Sequence, residues 1–131
     1  MKSKLMGIFL SILIGSTLNA NETLMSSMKN MRNSLVKIND GFLYNDINMI
    51  LSGADKLEKT ALIFQKHDLK LYLPEKKKNM APVAVSLSKR LNLYTNDIKT
   101  YAKNGKLANA ADVYPDLVKA CTSCHKIIRG W

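Results

Sequence analysis

The chain reads as all-α, an antiparallel four-helix bundle. Apolar residues recur at steps of three and four through four segments of roughly twenty residues each, and no segment alternates with the period of two that a strand requires. Short turn signals, Asp40-Gly41 and Asn104-Gly105, and one longer connection around Pro74 separate the segments. Helices of this length joined mostly by short loops pack antiparallel to their sequence neighbours.

In the first helix Asn21 is suited to the N-cap and Glu22 to the first turn. Leu24, Met28, Met31, Leu35, Ile38 and Phe42 form its apolar stripe. Asp40-Gly41 is the expected stop, leaving Phe42 just beyond it. The second helix starts near Asn45 or Asp46, presents Ile47, Ile50, Ala54, Leu57, Ala61 and Phe64, and frays near His67. Asp68 to Asn79 is the longest connection. Its Leu69, Leu71, Tyr72 and Leu73 are expected to pack back on the bundle, Pro74 forbids a continuous helix, and Lys76-Lys77-Lys78 reads as a solvated run. The third helix starts near Asn79, with Pro82 tolerated in its first turn. Its stripe is Met80, Val83, Leu87, Leu91, Tyr94, Ile98 and Tyr101, and Asn104-Gly105 ends it. The fourth runs from about Leu107 to Ile128, with Leu107, Ala111, Tyr114, Leu117, Cys121 and Ile128 inward. Pro115 is expected to kink or restart it. The starts of helix one and the end of helix four then lie side by side.

Residues 1–20 stand apart. Lys2 and Lys4 precede a short apolar run, Leu5 to Ile14, and Thr17-Leu18-Asn19-Ala20 offers a small-residue cleavage site after Ala20. This is the pattern of a secretory signal peptide, and the run is too short to span a bilayer. Residues 21–131 are then the single domain, exported to the periplasm and with no stable membrane insertion after cleavage. The formal charge of +10 falls to +8 when Lys2 and Lys4 are removed. A basic surface steers a protein towards acidic partner proteins or anionic lipid headgroups. Nucleic acid is not expected, because no binding motif occurs and export removes the opportunity.

The most informative run lies near the C-terminus: Cys121-Thr122-Ser123-Cys124-His125. Two thiols three residues apart sit within one helical turn and can both reach the edge of one porphyrin, adding to its two vinyl groups as thioethers. His125, one turn beyond Cys121, can turn its imidazole onto the iron. The run therefore predicts one covalent haem c, with its iron, near the end of the last helix. Zinc would need a second pair of ligands, and His67 is the only other His or Cys in the chain. A thioredoxin-like pair would sit beside a βαβ pattern, which is missing. A disulfide between Cys121 and Cys124 would be strained in a helix. Two ionised haem propionates would lower the charge to about +6.

A four-helix chain with this run near its C-terminus, and with Arg129 four residues after the histidine, resembles the class II cytochromes c. That exported bacterial group contains the cytochromes c′ and their low-spin relatives. The resemblance covers the whole domain in architecture and only Cys121 to Arg129 in motif. It implies a distal position on the first helix. In the cytochromes c′ an apolar residue there leaves the iron five-coordinate; in the low-spin relatives a methionine makes it six-coordinate. Met25, Met28 and Met31 lie in that region. The stripe spacing selects Met28, whereas counting back from Gly41 selects Met25 and puts Arg32 on the core face. Arg129 matches an arginine near the proximal face, where it pairs with a propionate or lies by His125. His67 reads as a surface residue. Family members often form dimers through helices one and two, so the resemblance makes a homodimer possible, although no decisive apolar stripe lies outside the core. The expected function is single-electron transport to redox partner proteins with acidic docking surfaces. With no acid–base pair in view, no enzymatic activity is expected. The alternative is a five-coordinate haem protein that binds nitric oxide or carbon monoxide.

Overall fold

The computed structural model describes residues 20–130, with side chains from Leu24 onward. Residues 1–19 of the expected signal segment, and Trp131, lie outside the described residues. The helices are α1 (Ala20–Leu43), α2 (Ile47–Lys66), α3 (Ala81–Lys103) and α4 (Leu107–Arg129). Two 3₁₀ turns, Leu69–Tyr72 and Glu75–Met80, join α2 to α3. Sequence neighbours pack antiparallel, α1 on α2, α2 on α3 and α3 on α4, while α1 and α4 touch at only a few points. Among the described residues no helix is long and apolar enough to cross a membrane.

The buried rows keep a strict alternation of threes and fours. On α2 the row is Ile50, Ala54, Leu57, Ala61 and Phe64, with Gly53 and Thr60 buried beside it; on α3 it is Ala81, Ala84, Ser88, Leu91, Thr95, Ile98 and Ala102. That repeat of 3.5 is the seam of closely packed, nearly antiparallel helices. The buried row of α1 is Ser27, Met31, Ser34, Ile38 and Gly41. Small residues in these rows let the axes approach. A Cβ on Gly41 would lie 2.6 Å from Cγ1 of Ile50 and 2.8 Å from its backbone nitrogen. A Cβ on Gly53 would lie 2.9 Å from Cγ1 of Ile38 and 3.0 Å from the Ser34 carbonyl. The buried hydroxyls of Ser34, Thr60, Ser88 and Thr95 each donate to a carbonyl one turn back, so they enter the core with a partner.

Several sequence expectations change. Gly41 does not stop α1, which runs on to Leu43; it is a glycine because Ile50 crosses there. The chain reverses instead at Asn45, whose φ is 54°, and Asp46 caps α2 by accepting from the Met49 N–H at 3.0 Å. The first helix already includes Ala20 and Asn21, so Asn21 is not its cap. On α3 the inward row is rotated from the expected stripe: Val83 is 43 % exposed and Ala84 fully buried, because the smaller side chain fits beneath the neighbouring helices. On α4, likewise, Ala110 is buried and Ala111 exposed. Pro115 does not restart α4, which passes through it unbroken. Leu69 and Leu73 pack on the bundle as expected, but Leu71 is exposed. The lysine run is not wholly solvated. Lys77 Nζ lies 2.8 Å from where a Cβ on Gly130 would stand, over the last turn of α4, where carbonyl dipoles favour a cation. Lys78 pairs with Glu75 at 2.6 Å.

Candidate functional site

Tyr114 ties α4 to α1 near the α1–α2 turn. Its hydroxyl donates to the Leu35 carbonyl at 3.0 Å, and its ring meets Phe42 edge-on, with centroids 5.8 Å apart. From there towards the start of α1 and the end of α4, the two helices part around a cavity of about 430 Å³. One face of α1 forms a wall: Met28, Met31, Arg32, Leu35, Val36 and Asn39, at the steps of a single helical stripe. The facing wall is the α4 stripe from Tyr114 through Val118, Cys121 and His125 to Ile128. Phe64, Leu69, Ala84, Ser88 and Leu91 line the rest. The lining is predominantly apolar and the volume lies in the range of cofactor pockets, roughly 300–1,000 Å³.

Cys121, Cys124 and His125 all line this cavity. Both cysteines are free thiols. Met28 lies on the opposite wall, and helix geometry brings it level with the histidine. Eleven residues separate Tyr114 from His125, about 16 Å of helix. The same step back along α1 reaches Met31 from Phe42 and Leu24 from Leu35, and Met28 lies midway between them. Met31 also lines the cavity but is 7 % exposed, packed into the core cluster. Met25 is 65 % exposed and lies outside the lining; the helix end at Gly41 that would select it does not exist. Arg129 sits exposed on the last turn of α4 and is not part of the lining. His67 is exposed and borders only a small recess between α1 and α2, with Leu24, Ser27 and Tyr72.

The electrostatics follow from burial. Desolvation, with a smaller contribution from Cys124, pushes the Cys121 thiol up to about 11. Burial likewise raises Cys124. Both thiols are therefore protonated at neutral pH. Burial, and secondarily the nearby charge of Arg129, lowers the His125 pKa. The imidazole is then neutral and keeps a lone pair for a metal. Burial first, then the charges of Cys121 and Asp40, raises the Tyr114 pKa, so its hydroxyl stays a donor to Leu35.

Among the described residues no three His, Cys, Asp or Glu side chains converge to hold a metal ion. A zinc site needs such convergence. Covalent haem does not, since the thiols would bind ring carbons and iron needs only the imidazole and at most one further ligand. The donor set and the apolar walls fit haem on both counts. Arg32, Asn39 and Thr122 are lining residues that the sequence reading did not assign to the site. The signal was present: Arg32, Leu35 and Asn39 follow Met28 by four, seven and eleven residues, on its own stripe.

The fold and site define an all-α protein of four helices with an apolar cleft between the first and the last. No protein-family model matches the chain, and no curated protein or solved structure matches it.

Proposed function

We propose that this chain is an exported c-type cytochrome of the class II kind, carrying single electrons through one covalent haem. The observation that supports it is the meeting of Cys121, Cys124 and His125 with Met28 across one apolar cavity. Bound there, haem supplies one-electron exchange between ferric and ferrous iron. The chain's own residues supply the rest. Cys121 and Cys124 would hold the ring as thioethers, and His125 would offer its neutral imidazole to the iron. Met28 would be the second iron ligand, and a thioether there would favour the ferrous state and so a higher potential. Leu35, Leu91, Phe64 and Ile128 keep water from the ring.

The basic surface serves docking to acidic redox proteins. Lys77, folded over the end of α4, and exposed Lys126 put positive charge beside the haem-bearing turn. Export to the periplasm remains part of this reading, since thioethers to haem are made outside the cytoplasm.

The test is the mass and absorption spectrum of the native protein. Expected are one haem's added mass, retained in acidified organic solvent, and a low-spin ferric spectrum with a weak sulfur-to-iron band in the far red. Haem that extracts freely sinks the reading. Covalent haem with a high-spin ferric spectrum moves the function to binding nitric oxide or carbon monoxide at an open iron.

A further inference from the structure

The outer face shared by α2 and α3 lies across the bundle from the α1–α4 opening. Its register is fixed by Lys99, whose ammonium reaches both Asp55, at 3.1 Å, and Glu58 across the seam. One heptad on along α2 and one heptad back along α3, Leu62 and Gln65 come opposite Asn92. Leu93 stands beside Asn92 on the solvent side, and one turn further Lys66 comes opposite Lys89. Leu62 is 40 % exposed and Leu93 64 %. Around them Lys59, Lys66, Lys89 and Arg90 are exposed, and among the described residues none of the four makes an ion pair. The acidic residues of the two helices, Asp55, Glu58 and Asp97, all lie nearer the α1–α2 turn, at the level of Lys99. The combination recurs just past α2, where Leu71 is 71 % exposed beside exposed Lys70. The one acid there, Asp68, accepts from the Lys70 N–H at 3.0 Å. Cations that face each other with no acid between them repel, and an anionic partner turns that repulsion into attraction. Leucines raised singly between long lysines suit a soft partner that takes each side chain separately. In a bilayer the apolar tips enter the acyl boundary while the ammonium heads stay among the phosphates.

We propose that this face, Leu62 and Leu93 framed by Lys59, Lys66, Lys89 and Arg90, docks the protein on an anionic lipid bilayer. The two helices lie along the headgroups, held reversibly by cations on lipid phosphates and by the leucines at the acyl boundary. Neither contribution suffices alone, so loss of either releases the protein. In this orientation the α1–α4 opening faces away from the membrane, towards soluble partners. The cavity takes no part in the contact, so the docking holds with or without haem.

The experiment is co-sedimentation of the native protein with vesicles of phosphatidylglycerol and phosphatidylcholine in equal parts, and with vesicles of phosphatidylcholine alone. Three double variants are compared: Lys66→Glu with Lys89→Glu, Leu62→Gln with Leu93→Gln, and Lys103→Glu with Lys106→Glu. The last makes the same change of charge at the α3–α4 turn, and circular dichroism verifies that all three stay folded. The unaltered protein should bind the mixed vesicles, bind phosphatidylcholine alone far more weakly, and come off as salt is raised. The Lys66/Lys89 pair and the Leu62/Leu93 pair should each weaken binding about tenfold or more. The Lys103/Lys106 pair should weaken it much less. No binding to the mixed vesicles overturns the proposal. An equal loss from the Lys103/Lys106 pair also overturns it, because net charge and not this face would then be responsible. Undiminished binding of the Leu62/Leu93 variant overturns it too. If the protein ignores vesicles but is held on a polyglutamate column in a way that Lys66→Glu with Lys89→Glu weakens, the partner is an acidic protein and the lipid assignment falls.

Discussion

Gly53 carries no side chain because the Ser34 carbonyl and the Ile38 backbone nitrogen stand 3.0 and 3.1 Å from where a Cβ would be. Those atoms belong to the α1 backbone and cannot swing aside. Gly53→Ala should therefore lower stability by about 1–3 kcal/mol, even though alanine improves helix propensity by about 1 kcal/mol. Urea unfolding measures the difference, and a stabilised variant would mean that α1 and α2 are further apart than described. The methionines separate by the same logic of place. In the haem-loaded protein Met28→Ala should turn a low-spin ferric iron high-spin and lower its potential, while exposed Met25→Ala changes neither. Met31→Ala should cost about 2–5 kcal/mol as a core truncation. If the Met31 variant alone loses the low-spin spectrum, Met31 is the ligand.

At the scale of elements, α4 passes through Pro115 although proline leaves the Ala111 carbonyl without its helical donor. Pro115 is exposed, so its ring adds little to the core. Pro115→Ala should stabilise the protein, by up to about 3 kcal/mol, in urea unfolding; a destabilised variant would show that the bundle uses the proline ring. Lys99 on α3 bridges to α2, with its ammonium on both Asp55, at 3.1 Å, and Glu58. The hydrogen bond that Lys99 donates to Glu58 is the main cause that raises its pKa above 10.5. A lysine whose folded value is raised stabilises the fold below its unfolded value, and loses that contribution as pH rises through the folded one. The stability gap between the protein and Lys99→Met should thus be fully present at neutral pH and close as pH rises past about 10, with a size near 0.5–1 kcal/mol for a pair that water still reaches. Equilibrium unfolding at a series of pH values reads it directly.

For the whole molecule the governing feature is that α1 and α4 are joined mainly through Tyr114 and otherwise part around the cavity. These walls are largely apolar, so an apolar occupant such as the haem proposed above would bury area that the bundle alone leaves open. Replacing both Cys121 and Cys124 with Ala should give a chain that melts tens of degrees lower by circular dichroism, roughly what a loss of several kcal/mol brings in a domain of this length. An equal melting temperature would remove the occupant from the stability argument.

The sequence by itself determined the four helices and the candidate donor run. Periodicity of three and four needs only local geometry, so four stripes were legible, as were the ends at His67 and Asn104. The run from Cys121 to His125 carries its three donors within two helical turns, so no tertiary contact was needed to find it. What local reading could not resolve is which side of each stripe points inward, because that depends on the size of the partner across the seam. Ala84 displaced Val83 from the core for this reason, and Gly41 turned from a stop into a crossing point because Ile50, distant along the chain, lies against it. The same holds for the site. Met28 and Met31 share one sequence stripe, and only the placement of α1 in the bundle, tied to α4 through Tyr114, packs Met31 into the core cluster and leaves Met28 on the cavity wall. Arg32 enters the cavity wall by that same placement, since a cleft between two helices is defined by both and written in neither alone.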